Sequence, residues 1–385
     1  MHAPSAFIRL IHQALAVLAL GASGLACAAP TAADITVVQV APLTGVLAST
    51  GQQMVLGGKI YFDWVNAHGG VHGAQIKHTV LDDGYKVDET ARLTQEALLN
   101  PEVIALFGFA GTANVSKLLS DGILDVGGAP LVAPYTGGEA LRSPFNPYIF
   151  HVRAGYVDET EHMVHQVATL GMKRIAVMYQ NDAFGKAGLA GVEAAVAKRN
   201  LSLVVAASYE RNTDDVNDAV QKIKAAEPQA TIMISVNRST AAFAKQYRAA
   251  GGGGQLYNIS VVDPAELVKL AGLKAVHGLG ITQVVPYPFS ASKPVVREYQ
   301  TLMQQYGGGK PISYTSFEEF LGAKVLVEGL RRAGPLPTRA RLVKALEGMD
   351  NFDLGGTRVN YSATNRVGSR FVEVTVIGGA GKLLR

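Results

Sequence analysis

Short apolar runs of the kind that form buried strands alternate with helix-like segments along most of the chain, and this rhythm restricts the possible folds. In the first half the strand-like runs are ITVVQVA (35–41), IKHTVLD (76–82), VIALFG (103–108) and PLVAP (130–134), and a single helix is predicted over 113–126 between the last two. The rhythm breaks at residues 143–156 and resumes with RIAVMY (174–179), LSLVVAA (201–207), ATIMIS (230–235) and QLYNIS (255–260). Such strands, alternating with helices, are typical of parallel sheets covered on both faces. The chain is therefore predicted to be an α/β protein with two doubly wound parallel-sheet lobes.

The segment from residue 280 onward follows a different pattern. A proline-rich stretch at 280–296 reads as a connector, and helices are predicted at 292–306, 314–333 and 338–348. The chain closes with the strand-like run FVEVTVI (371–377). This part is too irregular to be a third unit of the same kind, so we expect it to complete the first two lobes.

The N-terminal segment has the features of a secretory signal. Arg9 is followed by an apolar run that ends in small residues, and Ala26-Cys27-Ala28 forms an A-x-A-like cleavage site. We therefore predict a signal peptide over residues 1–28 and a protein exported to the periplasm. Because Cys27 is the only cysteine, a chain cleaved after Ala28 has no disulfide. The alternative is a lipoprotein anchored at Cys27, although Gly24 stands where a lipobox usually has an apolar residue.

Two loops in the first half have the composition of an anion site. FGFAGTAN (107–114) and VAPYTGGEALR (132–142) each place Gly and Thr where a strand leads into a helix. The N-terminus of a helix offers free backbone N–H groups and the positive end of its dipole, which suit a carboxylate. The alternative reading is that Thr112 and Thr136 are ordinary helix caps.

Several functional classes lack their usual signals. There is no GxGxxG, Walker-type or GxSxG motif. His162 and His165, with Glu161, have no evident third ligand for a metal ion. The formal net charge of +4 is spread along the chain without a basic cluster that could follow a phosphate backbone. We therefore expect no enzymatic activity, no cofactor, no metal and no nucleic-acid partner.

A set of segments in a particular order then gives a resemblance to a known family. These segments are residues 41–73, LDDGYKVDETA (81–91), FGFAGTANV (107–115), PLVAPYTGGEALR (130–142), NDAFGKAG (181–188) and QVVPYPFSASKPVVREY (283–299). The chain resembles the type I periplasmic solute-binding proteins of ABC importers, in the branch of leucine/isoleucine/valine-binding proteins. The resemblance implies two lobes joined by three crossovers, near 153–156, 280–286 and 355–360. Lobe I would comprise 34–153 plus 284–355, and lobe II 154–283 plus 356–385.

The resemblance also implies a ligand site in the cleft between the lobes. A ligand carboxylate would be held by Thr112 and Thr136 and the backbone beside them, and an aromatic residue of lobe II would close over the ligand. The residues implied are Thr50, Ala110, Gly111, Thr112, Ala133, Pro134, Tyr135, Thr136, Phe184, Asn237 and Arg238. Phe184 is equally compatible with a core position, and Asn237 and Arg238 with an exposed helix start.

One position departs from the amino-acid binders of the resembling family. They hold the ligand ammonium with a carboxylate of the second lobe, and the matching position here is Val262, with Asp263 adjacent. If the register shifts by one residue, Asp263 would hold the ammonium and would belong to the ligand-binding residues. Asp263 also precedes Pro264, where it is suited to cap a helix. If Asp263 does not bind an ammonium, the ligand is expected to be a carboxylate or amide without an α-amino group.

The function implied is that of a solute-binding protein that closes by a hinge around an amino acid or a related carboxylate. A membrane ABC permease would be its partner, and we expect a monomer. A sensory ligand-binding module of the same fold and an exported hydrolase remain as alternatives.

Overall fold

The computed structural model describes residues 34–385, and its N-terminal lobe is built on a parallel sheet of five strands. The predicted signal peptide, with Cys27, lies outside the described residues. The strands are β1 (Ile35–Ala41), β2 (Ile76–Asp82), β3 (Val103–Phe107), β4 (Leu131–Val132) and β5 (Ile149–Phe150). They lie side by side in the order β2-β1-β3-β4-β5. This order brings the carboxyl ends of β3 and β4 together at one edge of the sheet.

The second lobe contains a sheet of seven strands in which the first five are parallel. These are β6 (Arg174–Gln180), β7 (Ser202–Tyr209), β8 (Ala230–Ile234), β9 (Gln255–Asn258) and β10 (Gly280–Gln283). A short hairpin of β11 (Phe352–Asp353) and β12 (Arg358–Val359) stands apart. The antiparallel strands β13 (Glu373–Ile377) and β14 (Leu383–Leu384) complete the sheet beside β10. The sheet order is β14-β13-β10-β9-β8-β6-β7.

Helices cover the sheets and connect their strands. In the first half they are α1 (Ala48–Ala67), α2 (Val87–Leu99), α3 (Thr112–Ser120), α4 (Ile123–Gly127), α5 (Tyr156–Thr169) and α6 (Ala183–Ala197). In the second half they are α7 (Asn217–Ala225), α8 (Asn237–Ala249), α9 (Pro264–Ala271), α10 (Leu273–Val276), α11 (Pro294–Tyr306), α12 (Tyr314–Ala333) and α13 (Arg339–Glu347). None of these helices is long and apolar enough to cross a membrane.

Local sequence explains the points at which several elements begin and end. The Asp182 carboxylate caps α6 by accepting from the N–H groups of Phe184 and Gly185, and the Ser313 hydroxyl caps α12. A single helix over 113–126 was predicted, but Gly122 adopts a left-handed conformation and separates α3 from α4. Strand β4 is shorter than the predicted 130–134 because Ala133, with φ 56°, leaves the extended conformation.

The chain passes between the sheets three times, which is the predicted number. The first passage follows β5, and the second follows β10, from which the chain returns to α11 and α12. Residues 366–368 still bond to His151 beside β5, whereas β13 belongs to the second sheet. The third passage therefore comes after Gly368, later than the predicted 355–360. We propose that lobe I comprises 34–153 plus 284–368, and that lobe II comprises 154–283 plus 369–385.

The apolar core continues from one lobe into the other at the carboxyl ends of the strands. One buried cluster joins Leu47, Tyr85 and Tyr135 of lobe I to Phe184 and Val261 of lobe II. Burial of apolar area across the cleft favours the closed arrangement. The structure is thus a closed form of a two-lobed α/β protein.

Candidate functional site

The two loops that the sequence singled out lie side by side. A parallel β-bridge pairs Ala110 with Tyr135 just beyond the ends of β3 and β4, and the Tyr135 N–H donates to the Phe109 carbonyl over 2.8 Å. The ends of neighbouring parallel strands are where α/β sheets bind ligands. The loops therefore form one continuous wall of the cleft.

Gly111 allows the first loop to turn into α3. Its φ is 94°, a conformation that residues with a side chain rarely adopt. A Cβ at this position would lie 2.6 Å from Asn114 Oδ1 and 2.8 Å from the Tyr85 ring. Glycine is thus required both by the backbone and by the close approach of its neighbours, and it places Thr112 at the start of the helix.

Thr112 and Thr136 meet at this turn. Their hydroxyl oxygens are 2.7 Å apart and both side chains are buried. Thr136 Oγ1 also accepts from the Gly138 N–H over 3.2 Å and from the Tyr156 hydroxyl over 3.5 Å. Because one hydroxyl donates to the other, the pair keeps one proton that can be donated to a carboxylate at this helix N-terminus. The N-terminus of α3 has no side-chain cap bond, so the Thr112 hydroxyl does not cap its helix, whereas the Thr136 hydroxyl accepts from the backbone of its own turn.

A small cavity lies between the lobes in front of this wall. Its volume is about 20 Å³, which is close to the space needed by one water molecule. It is lined by Leu47, Tyr85, Gly111, Tyr135, Tyr156, Phe184, Val236 and Val261. Gly111, Tyr135 and Phe184 were among the predicted site residues, whereas Thr112 and Thr136 are not among the lining residues. Thr112 follows Gly111 in the chain, and Thr136 accepts from the Tyr156 hydroxyl.

Two further predicted residues join the lobes beside the cavity. Thr50, in α1, accepts from Asn237 Nδ2 over 3.3 Å, and Asn237 Oδ1 accepts from the Asp263 N–H over 2.7 Å. Asn237 is buried and is therefore not at an exposed helix start. Arg238 is different: it is exposed and pairs with Asp214 on the surface of the second lobe, so its predicted orientation toward the cleft is wrong.

Other predicted residues lie outside the cavity lining. Ala133 packs in the core of the first lobe, where its Cβ approaches Gly322 of α12. Pro134 is buried, and its carbonyl accepts from the Thr136 N–H over 2.8 Å. Both residues shape the turn that carries Tyr135 and Thr136.

The ammonium position predicted at Val262 or Asp263 does not line the cavity. The Asp263 carboxylate caps α9, because Oδ1 accepts from the Glu266 N–H over 2.9 Å. Burial raises the pKa of Asp263. Val262 is buried in the core of the second lobe, and Val261 is the residue that lines the cavity. The residue of this segment that faces the ligand space is therefore apolar.

A buried ionic cluster at the first passage between the lobes was missed by the sequence reasoning. Arg153 is fully buried and pairs with Glu159 over 2.9 Å and with Glu318 over 3.3 Å. Glu159 also accepts from the backbone and hydroxyl of Ser260. Burial raises the pKa of Glu318 to about 7, although the charge of Arg153 opposes this shift. The cluster ties α12 of the first lobe to the second lobe near the hinge.

Glu319 lies next to Glu318 in this cluster, and its side chain is fully buried. In the described part of the chain, residues 34–385, neither of its carboxylate oxygens has an ion-pair or hydrogen-bond partner. Burial, followed by the neighbouring charge of Glu318, raises its pKa well above the usual range. The two adjacent glutamates in the largely apolar run FEEFLGAKVLV (317–327) were the sequence signal that could have indicated a buried polar cluster.

A second contact between the lobes, also not predicted, is made by Arg211. Its Nη2 donates to the Tyr85 carbonyl and to Asn114 Oδ1, each over 2.7 Å. Its guanidinium lies 3.6 Å from the centre of the Tyr85 ring, and it pairs with Asp182 of its own lobe. We call this set of contacts the Arg211 clamp. It can form only when the lobes are closed.

Glu161, which stands beside His162 and His165 in the chain, forms ion pairs with Arg199 and Lys198. Within residues 34–385, no group of three His, Cys, Asp or Glu side chains is arranged to hold a metal ion. The site at the carboxyl ends of β3 and β4 offers hydroxyl groups and apolar contacts, which suit the binding of a small solute.

Comparisons with known proteins agree with this architecture. The model of the periplasmic binding protein family matches residues 34–382, and the chain therefore belongs to that family. Its fold is that of the type I periplasmic binding proteins, so the resemblance seen in the sequence is confirmed.

Individual relatives cover nearly the whole described chain. A protein named Leu/Ile/Val-binding protein homolog 7 of Brucella suis is 26% identical over 366 residues, which cover 90% of this chain and 88% of that relative. The crystal structure of a substrate-binding periplasmic protein from Ralstonia solanacearum has 38% identity and a TM-score of 0.87, covering 91% of this chain and 99% of the other. A possible leucine/isoleucine/valine-binding protein from Rhodopirellula baltica has 27% identity and a TM-score of 0.87, with 93% and 98% covered.

Proposed function

We propose that the protein is the solute-binding component of an ABC import system and that it closes around a small carboxylate-bearing solute. The observation that carries this proposal is the pair of buried hydroxyls of Thr112 and Thr136, 2.7 Å apart at the start of α3. Their position at the ends of two neighbouring strands suits the carboxylate of a small solute. The names of the Brucella and Rhodopirellula relatives support an amino acid or a related compound.

Closure is supported by the contacts that cross the cleft. The Arg211 clamp, the bond between Asn237 and Thr50, and a bond from Ser49 to Glu266 all join the two lobes. A ligand that touches both lobes binds the closed form more tightly than the open form, and it thereby shifts the population toward closure. The closed form is then the one that a membrane permease would recognise. We expect the protein to work as a monomer outside the cytoplasm.

The binding proposal is tested by thermal unfolding of the protein, residues 34–385, against a panel of amino acids, carboxylates and amides. A ligand present at 100 times its dissociation constant adds about 2.7 kcal/mol to the free energy of unfolding. We expect stabilisation by at least one carboxylate of the panel. Absence of stabilisation by every small solute, or chemical turnover of one of them, would contradict the proposal.

The carboxylate site is tested separately by substitution. One proton of the pair is used in the bond between the two hydroxyls, so in the Thr112→Ala/Thr136→Ala double variant the carboxylate loses one charge-assisted hydrogen bond, worth about 1.5 kcal/mol or more. Affinity should therefore fall by about tenfold or more. The Thr112→Ser/Thr136→Ser variant keeps both hydroxyls and should retain binding. Thr94→Ala is the matched control, because it removes a buried hydroxyl that donates to the Thr90 carbonyl within α2. Equal affinity in the alanine double variant and in the control would refute the site.

A further inference from the structure

The walls of the cleft cavity indicate which class of carboxylate is bound. Resting on the proposed function, we propose that the solute is an aromatic monocarboxylate without an α-ammonium group. The proposal depends on three observations. The cavity has an aromatic lining, the hydroxyl pair lies next to it, and the nearby carboxylates are already bonded to other groups.

Aromatic rings dominate the lining. Tyr85, Tyr135 and Tyr156 face the cavity together with Phe184, and all four side chains are buried. The rings of Tyr156 and Phe184 meet edge to face, with centroids 5.5 Å apart. The remaining side chains of the lining, those of Leu47, Val236 and Val261, are aliphatic. A pocket of rings and aliphatic groups favours an apolar ligand, and ring edges and faces favour an aromatic one.

The rings come from both lobes, so an aromatic ligand would contribute to closure. Tyr85 and Tyr135 belong to loops of the first lobe, whereas Tyr156 and Phe184 lie at the starts of α5 and α6. In the closed form these rings fill most of the cleft, leaving about 20 Å³. A flat ring needs a smaller separation of the two walls than a branched aliphatic group of similar size. An aromatic solute is therefore the one that the closed cleft accommodates with the least opening.

The polar end of the ligand would point toward the hydroxyl pair. Gly111 separates the cavity from Thr112 without a side chain, and the Tyr156 hydroxyl reaches Thr136 Oγ1 over 3.5 Å. Tyr156 therefore has its ring in the cavity and its hydroxyl at the threonines. This arrangement matches a molecule with a ring at one end and a carboxylate at the other.

An ammonium group has no acidic partner among the eight residues that line the cavity. Three carboxylates of the second lobe lie in adjoining segments, and each is engaged elsewhere. Asp263 caps α9, Asp182 caps α6 and pairs with Arg211, and Glu159 pairs with Arg153 and accepts from Thr282. An ammonium buried in the closed cleft would be unpaired, which is strongly unfavourable.

Positive charge behind the rings disfavours an ammonium further. The guanidinium of Arg153 lies 5.3 Å from the centre of the Tyr135 ring and 5.8 Å from that of Tyr156. The guanidinium of Arg211 lies 3.6 Å from the centre of the Tyr85 ring. Three of the four rings thus already have a cation as their partner, so they are poorly suited to form an aromatic cage around a second one.

Isothermal titration of the wild-type protein with four probes tests the proposal. The probes are 3-phenylpropanoate, L-phenylalanine, 4-methylpentanoate and L-leucine, which form two pairs that differ by the α-ammonium and two that differ by the aromatic ring. We expect 3-phenylpropanoate to bind most tightly, at least about 100-fold more tightly than L-phenylalanine. It should also bind roughly 3- to 10-fold more tightly than 4-methylpentanoate.

Each other outcome of the titrations contradicts a specific part of the proposal. Equal or tighter binding of either amino acid would overturn the exclusion of the ammonium, and tighter binding of 4-methylpentanoate would overturn the aromatic preference. If none of the four probes binds but another solute of the panel stabilises the protein, the ligand class is wrong and the proposed function stands. If no solute stabilises the protein, the proposed function fails as well.

Two variants of lining residues add an independent test. Phe184→Leu removes one ring and should lower the affinity for 3-phenylpropanoate by roughly 3- to 10-fold. The affinity for 4-methylpentanoate should change by less than about twofold. Val261→Glu places a carboxylate at the cavity and should reverse the preference toward L-phenylalanine, whereas the uncharged control Val261→Gln should not. An unchanged preference in a folded Val261→Glu variant would show that the ammonium is excluded for another reason and would contradict the electrostatic account.

Discussion

The Arg211 clamp gives a sharp test of closure, because Arg211 joins the lobes and is not itself one of the residues that line the cavity. Arg211→Ala removes two hydrogen bonds of 2.7 Å, to the Tyr85 carbonyl and to Asn114, and the contact with the Tyr85 ring. The Arg211 side chain is 15% exposed in the closed form. All three contacts are lost when the lobes open, whereas the ion pair with Asp182 lies within one lobe and can persist.

The size of the effect follows from these contacts. Hydrogen bonds to a charged group contribute about 1.5 kcal/mol or more each, and a partly desolvated cation–π contact contributes about 1 kcal/mol. Because the freed groups regain water in the open form, we take the lower part of the sum, about 2 kcal/mol. This corresponds to about a 30-fold change in the equilibrium between closed and open forms. Ligand affinity should fall by up to the same factor, since only the closed form binds from both sides.

Isothermal titration with a ligand found by thermal unfolding measures the affinity, and small-angle X-ray scattering reports the fraction of open molecules. Arg238→Ala is the matched control, because Arg238 is a second-lobe arginine whose ion pair with Asp214 does not cross the cleft. We expect lower affinity and a larger radius of gyration for Arg211→Ala alone. An affinity within about threefold of the wild type, equal to that of the control, would refute the role of the clamp.

Substitutions at three further residues test other parts of the structure. Burial raises the pKa of Glu319 well above 4.5, the ordinary value for glutamate. The folded protein therefore binds the proton more tightly than the unfolded chain. The resulting stabilisation is complete below about pH 4.5 and is lost as the pH rises through the raised pKa. Glu319→Gln should therefore match the wild type at about pH 4 and exceed it by about 1 kcal/mol or more at about pH 8 in urea unfolding; a constant difference would contradict this. Asp263→Ala should lower the free energy of unfolding by about 1 kcal/mol, because the cap of α9 is lost. Asp263→Asn should keep both stability and ligand affinity. A large loss of affinity in Asp263→Asn would indicate that the Asp263 carboxylate binds the ligand. Gly111→Ala should lower both stability and affinity, because its Cβ would lie 2.6 Å from Asn114 Oδ1 at a φ of 94°; a variant with wild-type melting and affinity would show that the turn is not rigid.

The sequence predicted the fold well because the fold depends on local periodicity. Apolar strands such as RIAVMY (174–179) coincide with β6, and the predicted helix at 314–333 has the bounds of α12. The errors lie where single residues change the backbone. Ala133, with a positive φ, shortens β4, and Gly122 divides a predicted helix in two. The third passage between lobes was misplaced because residues 360–368 carry no strand pattern and are held by bonds to His151.

The candidate site was predictable only in part. The loops around Thr112 and Thr136 follow recognisable strands, so their position could be read from the sequence. The partners of Arg153 and Arg211 are distant in the chain, at Glu318 and at Tyr85, and a contact between such positions leaves no local pattern. The orientation of Val261 toward the cavity also depends on a register shift of one residue, which a sequence match alone does not resolve.

We propose that Thr112 and Thr136 hold the carboxylate of a solute in a cleft that closes. The most direct measurement is isothermal titration of the wild type and of the Thr112→Ala/Thr136→Ala variant with the best carboxylate ligand and with its primary amide. We expect the wild type to prefer the carboxylate by about tenfold or more, and the variant to lose that preference while both compounds bind weakly. A double variant that still prefers the carboxylate by the same factor would contradict the claim.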